Sequence, residues 1–286
     1  MILNIKDARF LITGSAGQLG KEFQRVLSER HIGFLAPSED AFDITNGLQI
    51  RAFIEKAAPD VIVNGAAYNA VDQAESDSGA AYAVNSAAVE HLARICKERE
   101  SVFVHYSSDY VFDGKKGSPY VETDQPNPLN VYGASKLDGE RRAREIAGNF
   151  LIFRLSWVYG QGQQNFFYKL RQWAKANNEL NVSCDEISVP TYTGDVVELT
   201  LKALEAGLSG LYHLVNTGHV SRYELARYYF DKMGIKVKVN PVALETFGMP
   251  AKRPLFSAMS NEKLEEDLEV TIPAWQEALD RFMESA

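Results

Sequence analysis

Tyr132 stands four residues before Lys136, in Tyr132-Gly-Ala-Ser-Lys136, and Ser107-Ser108-Asp109-Tyr110 lies upstream of it. At a helix start this spacing puts the phenol and the ammonium on one face. An ammonium beside it favours the phenolate of a group whose free pKa is about 10. Such a tyrosine passes a proton to or from a hydroxyl or carbonyl oxygen near neutral pH. A strand-end hydroxyl such as that of Ser108 can bind the same oxygen as charge develops on it. The spacing alone is not decisive, because Tyr228 and Lys232 repeat it. That second pair follows the capping box Ser221-x-x-Glu224, has no strand-end serine before it, and is expected to serve packing. Position, rather than spacing, makes Tyr132 and Lys136 the candidate catalytic pair.

A second kind of chemistry sits near the N-terminus. Gly14, Gly17 and Gly20 recur at intervals of three, directly after the apolar run Phe10-Leu11-Ile12. Behind them Leu19, Phe23, Val26 and Leu27 follow a helical period, so the glycines form a strand-to-helix turn. Such a turn aims free backbone N–H groups and the positive end of a helix dipole outward. A diphosphate fits there, because no Cβ keeps it from the backbone. The spacing is G-x-x-G-x-x-G, which departs from the G-x-G-x-x-G dinucleotide fingerprint; a plain tight turn would use the same glycines.

These residues need elements to position them. Strands are expected at 10–12, 31–35, 59–64, 102–106 and 150–155. Helical patterns lie between them, one carrying Ile50, Phe53 and Ile54, one carrying Tyr82, Val89, Leu92 and Ile95, and one at 131–147. Strand and helix alternate with no hairpin signal, the pattern of a parallel sheet with helices on both faces. Ligands bind such a sheet beyond the carboxyl ends of its strands. Here those ends are 14–20, 65–68, 107–110 and 156–159. The fold class expected is therefore α/β, a Rossmann-type doubly wound parallel sheet with a smaller C-terminal substrate-binding lobe. The division falls at 1–156 and 157–286, with 192–216 returning to the first part.

The composition sets limits. The chain has 286 residues, 45% hydrophobic and 24% charged, with a formal charge of −8 and no run of five or more like charges. A nucleic-acid or anionic-membrane partner is disfavoured. No apolar stretch approaches the roughly 18 residues of a bilayer span. Cys96 and Cys184 lie far apart in unlike contexts, as expected in the reducing cytoplasm. The five histidines form no ligand cluster, so no built-in metal site is expected.

The glycine pattern, the strand-end Ser-Ser-Asp-Tyr and the Tyr132…Lys136 pair resemble those of the extended short-chain dehydrogenase/reductases. Gly17-Gln-Leu-Gly20, Asp43-Ile-Thr, Ala70-Val-Asp-Gln-Ala-Glu75, Ser108-Asp-Tyr-Val-Phe112, Asn130-Val-Tyr-Gly133, Arg154-Leu-Ser-Trp-Val-Tyr159 and Pro190-Thr191 narrow the resemblance. From about residue 8 to the end, the sequence is similar to the dTDP-4-dehydrorhamnose reductases. The resemblance implies NADPH or NADH as cofactor, with Gly14, Gly17, Gln18 and Leu19 holding its diphosphate. It implies Asp43 and Ile44 beside the adenine, Ala66, Ala67, Tyr68 and Ser107 along the cofactor's path, and Lys136 on the nicotinamide ribose. Ser108, Asp109, Tyr132 and Trp157 would contact a sugar nucleotide, with Tyr132 giving a proton to its C4 oxygen.

Each residue also has a plainer use. Asp43 could cap the following turn, Asp72 and Glu75 could be helix N-terminal carboxylates, Trp157 could be core, and Arg154 is expected in a structural ion pair. The sequence departs from the family at Ser108, where threonine is usual, and at Glu186, Arg222 and Phe256, where glutamine, tryptophan and asparagine are usual. The reading is reduction of a nucleotide-activated 6-deoxy-4-keto-hexose to dTDP-L-rhamnose. A related epimerase, dehydratase or 6-deoxytalose-forming reductase is the first rival, and a non-catalytic subunit of the same fold the second. Tyr110, where dehydratases of this fold carry glutamate, counts against dehydration. The choice of NADH or NADPH, the need for a divalent metal and pairing as a homodimer stay open.

Overall fold

The first strand, β1 (Phe10–Thr13), is buried at every position, as an apolar run inside a parallel sheet must be. The structure is a computed structural model that describes residues 3–284. α1 (Gln18–Glu29) leaves the glycine turn and lays Phe23, Val26 and Leu27 on the sheet. β2 (Phe34–Leu35) precedes α2 (Gly47–Ala57), whose N-cap Asn46 accepts the Gln49 N–H. After β3 (Val61–Asn64), the short helices α3 (Val71–Ala74) and α4 (Ser78–Tyr82) run through a π turn at Ala83–Ala87 into α5 (Ala88–Arg99). β4 (Val102–Ser108), α6 (Val131–Ile146) and β5 (Phe150–Leu155) complete the regular alternation.

The order then loosens into β6 (Val158–Tyr159), α7 (Phe166–Ala176), β7 (Glu179–Ser183), β8 (Ile187–Ser188), β9 (Thr191–Tyr192), α8 (Thr193–Glu205) and β10 (Gly210–His213). The last elements are β11 (Val220–Ser221), α9 (Arg222–Met233), β12 (Lys238–Val242), α10 (Glu262–Leu268) and α11 (Trp275–Glu284).

The main sheet runs β10-β5-β4-β3-β1-β2, with every neighbour parallel. α1 and α8 cover one face through Leu27, Val197 and Leu201. α2, α5 and α6 cover the other through Ile54, Leu92 and Ala143. This is the Rossmann-type doubly wound sheet. Its strand order reverses between β1 and β3, and a crevice opens there beyond the strand ends. A third apolar cluster, with Phe167, Leu180, Leu225, Tyr229 and Leu279, joins α7, β7, α9 and α11 and stands apart from both faces.

Two expected elements come out differently. The strand expected at 31–35 is only Phe34–Leu35, because 31–33 are spent ending α1. His31 takes a φ of 56°, and the N–H of Ile32 donates to the Leu27 carbonyl. The single long helix expected around Val89 is interrupted by the π turn. Within that turn Asn85 leaves the helical surface, accepts the Tyr68 N–H at 2.9 Å and donates to the Tyr68 carbonyl at 3.1 Å. The interruption therefore fixes the loop beyond β3, at the rim of the crevice.

α6, which carries Tyr132 and Lys136, is held at its start and at its middle. Asn130 caps it by accepting the Gly133 N–H and donates its own amide to the Lys252 carbonyl, both at 2.7 Å. One turn past Lys136, Glu140 accepts Nε and Nη2 of Arg154 on β5 at 2.9 and 2.7 Å. Both side chains are almost wholly buried, so this is the structural ion pair expected for Arg154. Among the described residues, no helix is long and apolar enough to cross a membrane, and no cluster of His, Cys, Asp or Glu is placed to hold a metal.

Candidate active site

The turn after β1 is shaped by what it lacks. Gly14 has a φ of 65°, and a Cβ there would run into the backbone of Gly65 and Ala66 beyond β3. A Cβ on Gly20 would strike the Gly14 carbonyl. These two glycines let the turn close against β3 and let α1 start beside it. Gly17 differs: a Cβ there meets only the Gly14 oxygen, at 3.2 Å, and otherwise points into open space. That open space is a cavity of about 350 Å³ at the reversal of the sheet.

Gly17, Gln18 and Leu19 line one end of this cavity, and Ala66 and Ala67 line its side. Ser107, Ser108, Asp109, Tyr132, Lys136 and Trp157 line the other end. The structure thus brings together most of the residues expected to act. Gly14 shapes the turn from beneath. The backbone of Tyr68 is bonded to Asn85 while its hydroxyl is buried with no partner, and Ile44 is buried under α2; neither lines this cavity. Asp43 is exposed, and its carboxylate accepts the Thr45 N–H and hydroxyl at 2.8 and 2.7 Å. Those hydrogen bonds hold it below the usual carboxylate range.

The catalytic end differs from expectation in its electrostatics. Burial pushes the Tyr132 phenol up to about 12, against a lowering by the Ser108 hydroxyl. Burial also pulls Lys136 down to about 8, partly opposed by Glu140. The Lys136 ammonium is directed at the Tyr106 carbonyl, to which it donates at 2.6 Å. Desolvation holds the phenol above its ordinary value, which favours the proton-giving role expected of Tyr132 over the proton-taking one. A protonated phenol in a cavity is an acid, suited to a carbonyl oxygen.

Asp109 is the only carboxylate among the described residues on this wall. Its Oδ1 accepts from Ser108 at 3.2 Å, and its Oδ2 from Ser156, Ser188 and Ser257 at 3.2, 3.0 and 2.5 Å. Burial raises its pKa, and the four hydroxyls oppose that rise. The cluster ties the ends of β4 and β5 to β8 and the C-terminal segment, and it orients Ser108. Ser156, Ser188 and Ser257 were missed by sequence reasoning, since nothing in one strand end signals serines 47 to 148 residues distant. Ser107 carries a buried hydroxyl with no partner. Tyr110 packs its ring edge-on to Tyr132 at 5.8 Å.

A second cavity, of about 600 Å³, continues from the first and shares Trp157, Val158 and Gln164 with it. Phe166, Trp173 and Phe247 give it aromatic walls, and Lys169, Arg222 and Arg253 give it positive charge. Arg253 is engaged with Asp72 at 2.7 Å, so Asp72 is a tie between segments rather than a free helix-start carboxylate. Glu75 accepts the Val131 N–H at 2.8 Å, at the start of α6. Phe256 lines neither cavity and packs against His219. The second Tyr–Lys pair is structural: Tyr228 and Lys232 both bond to Asp280, at 2.9 and 2.7 Å.

A family model described as the RmlD substrate binding domain matches residues 8–286. The chain is 37% identical to a dTDP-4-dehydrorhamnose reductase of Burkholderia thailandensis, covering 95% of this chain and 96% of that protein. It is also 37% identical to the protein of that name from Escherichia coli, covering 96% of each. Among solved structures, the dTDP-4-dehydrorhamnose reductase of Bacillus anthracis in complex with NADP aligns with a TM-score of 0.95 at 35% identity. That alignment covers 98% of this chain and the whole of the other.

Proposed function

This chain belongs to the RmlD substrate binding domain family, and from that premise we propose that it is an NAD(P)H-dependent reductase. Its substrate is the C4 ketone of dTDP-4-dehydro-L-rhamnose and its product dTDP-L-rhamnose. The observation that carries the reading is the meeting of a protonated Tyr132, the Ser108 hydroxyl and Lys136 at the far end of the cavity that the glycine turn opens.

The wall fits a dinucleotide. Gly17 offers backbone where a side chain would obstruct, and Ser107 has a buried hydroxyl with no protein partner. Gly14, Gly17, Gln18 and Leu19 would hold the diphosphate, Ala66, Ala67, Tyr68 and Ser107 the path beyond it, and Lys136 the ribose. Asp43 and Ile44 would stand at the adenine end. When bound, the reduced nicotinamide supplies a hydride to the carbonyl carbon. Tyr132 gives its proton to the carbonyl oxygen, and the Ser108 hydroxyl, turning from Asp109 Oδ1, donates a hydrogen bond to that oxygen as its negative charge grows. Lys136, positively charged below about pH 8, then favours the phenolate that Tyr132 has become. Asp109 keeps Ser108 in place.

Dehydration or epimerisation beside the ketone needs a base for a carbon-bound proton. Tyr110 is pushed far above the ordinary phenol range by burial, and Asp109 is fully occupied by hydroxyls. That favours the reductase over its relatives. The second cavity, aromatic and basic, would take the nucleotide part of the substrate. We assign 1–156, with 192–216, to the cofactor domain and most of 157–286 to the substrate lobe. A cytoplasmic location, which keeps Cys96 and Cys184 reduced, belongs to the same proposal. The test is an absorbance assay with the 4-keto sugar nucleotide and either reduced cofactor; no oxidation of either would overturn the reading.

A further inference from the structure

Arg222 breaks a local rule. It is the first residue of α9, at the positive end of that helix, where a cation is disfavoured. Its guanidinium carbon lies 3.5 Å from the centroid of the Trp157 ring and 4.8 Å from that of Phe166. Trp157 itself is held with a φ of 41°, a backbone conformation that a tryptophan rarely adopts. Its ring forms wall shared by the two cavities.

The partner of Arg222 is set by register. β11 pairs with β8 so that Ser221 faces Ile187, which places Arg222 beside Glu186. The Arg222 N–H donates to the Glu186 carbonyl, yet the side chains meet only at 3.5 Å, a loose ion pair for two largely buried groups. Arg253, by contrast, is gripped by both oxygens of Asp72. Lys169 is on the exposed rim. Arg222 is therefore the cation at the junction of the cavities with bonding capacity to spare.

We propose that Arg222, stacked on Trp157, receives the diphosphate of the sugar nucleotide and is a specificity-determining residue for nucleoside diphosphate substrates. Glu186 holds it aligned until the anion arrives. The inference rests on the reductase reading, since that reading puts the sugar at Tyr132 in the first cavity and the base in the second. The diphosphate joining them must then cross the shared wall. Stacking leaves the guanidinium edge free for the bidentate contact that phosphate oxygens favour.

The test is calorimetric titration of the full chain with thymidine diphosphate and, separately, thymidine. Arg222→Gln is expected to weaken thymidine diphosphate binding about 10- to 100-fold. It should leave thymidine binding unchanged and remove most of the salt dependence. Arg222→Lys recovers only part, keeping charge but losing the planar stack. In turnover, KM rises and kcat changes little, because the diphosphate is bound equally before and during reaction. Cofactor fluorescence titration shows that the variant is folded. Unchanged diphosphate binding in Arg222→Gln overturns the inference, as does an equal loss for thymidine, which would make Arg222 mere packing. If the wild-type protein binds cofactor but no thymidine diphosphate, the parent reading falls with it.

Discussion

Replacing Lys136 by methionine should abolish most turnover and yet stabilise the protein at neutral pH. Lys136 is 2% exposed, and its pKa is lowered from 10.5 to about 8, with burial as the main cause. At pH 7 the folded protein holds a charge that the unfolded chain holds more easily. Holding the ammonium at about 8 rather than 10.5 costs the fold about 3 kcal/mol at that pH. Methionine has a similar shape and no charge, so it removes that cost. It also leaves the Tyr106 carbonyl without its donor, a loss of about 1–2 kcal/mol. The net gain at pH 7 is then about 1–2 kcal/mol. The sign follows from linkage: a lysine with a lowered folded pKa adds stability as pH rises through that value, because the unfolded chain then binds more protons. Between pH 6.5 and 9.5 the wild type should gain about 2 kcal/mol relative to Lys136→Met, enough to cancel or reverse the variant's advantage. Urea unfolding of both proteins without cofactor, across that pH range, reads the difference directly. A pH-independent difference, or a variant less stable than wild type at pH 7, would refute the electrostatic account of the site.

Two further substitutions test separate parts of it. Tyr132→Phe should lower kcat about 10²- to 10⁴-fold with cofactor affinity nearly unchanged; Tyr228→Phe, whose hydroxyl serves Asp280, is the matched control and should be near wild type in stopped-flow turnover. Gly17→Val should weaken reduced-cofactor binding about 10- to 100-fold in a folded protein, by fluorescence titration, because its side chain points into the cavity. Gly20→Val should instead lose the folded turn, visible in circular dichroism, because its Cβ would strike backbone.

Much of this architecture was legible because buried parallel strands announce themselves as short apolar runs. The strand at 150–155 and the helix opened by Ser221 were located from such runs and from one capping box. The glycine turn and the Tyr132–Lys136 pair were legible because each is local, set by spacing along one turn. What escaped was made by chain return. Arg222 meets Glu186 only through the β8–β11 register, and Asp72 meets Arg253 across 181 residues. The serines around Asp109 come from three other segments, and no local pattern marks them. The direction of the Tyr132 shift was not legible for a related reason: neighbouring charge can be read along a helix, but the burial that raises the phenol cannot.

The central claim is net transfer of a hydride to one carbon and a proton to one oxygen. The most direct measurement uses reduced cofactor deuterated on the transferring face, dTDP-4-dehydro-L-rhamnose and mass spectrometry of the sugar nucleotide. Each turnover should consume one reduced cofactor, and the product should carry one deuterium at C4 and one solvent-derived hydrogen on oxygen. Tyr132→Phe should give little of that product in the same time. A sugar nucleotide that loses water, or that isomerises without deuterium while the cofactor spectrum stays constant, would contradict the account.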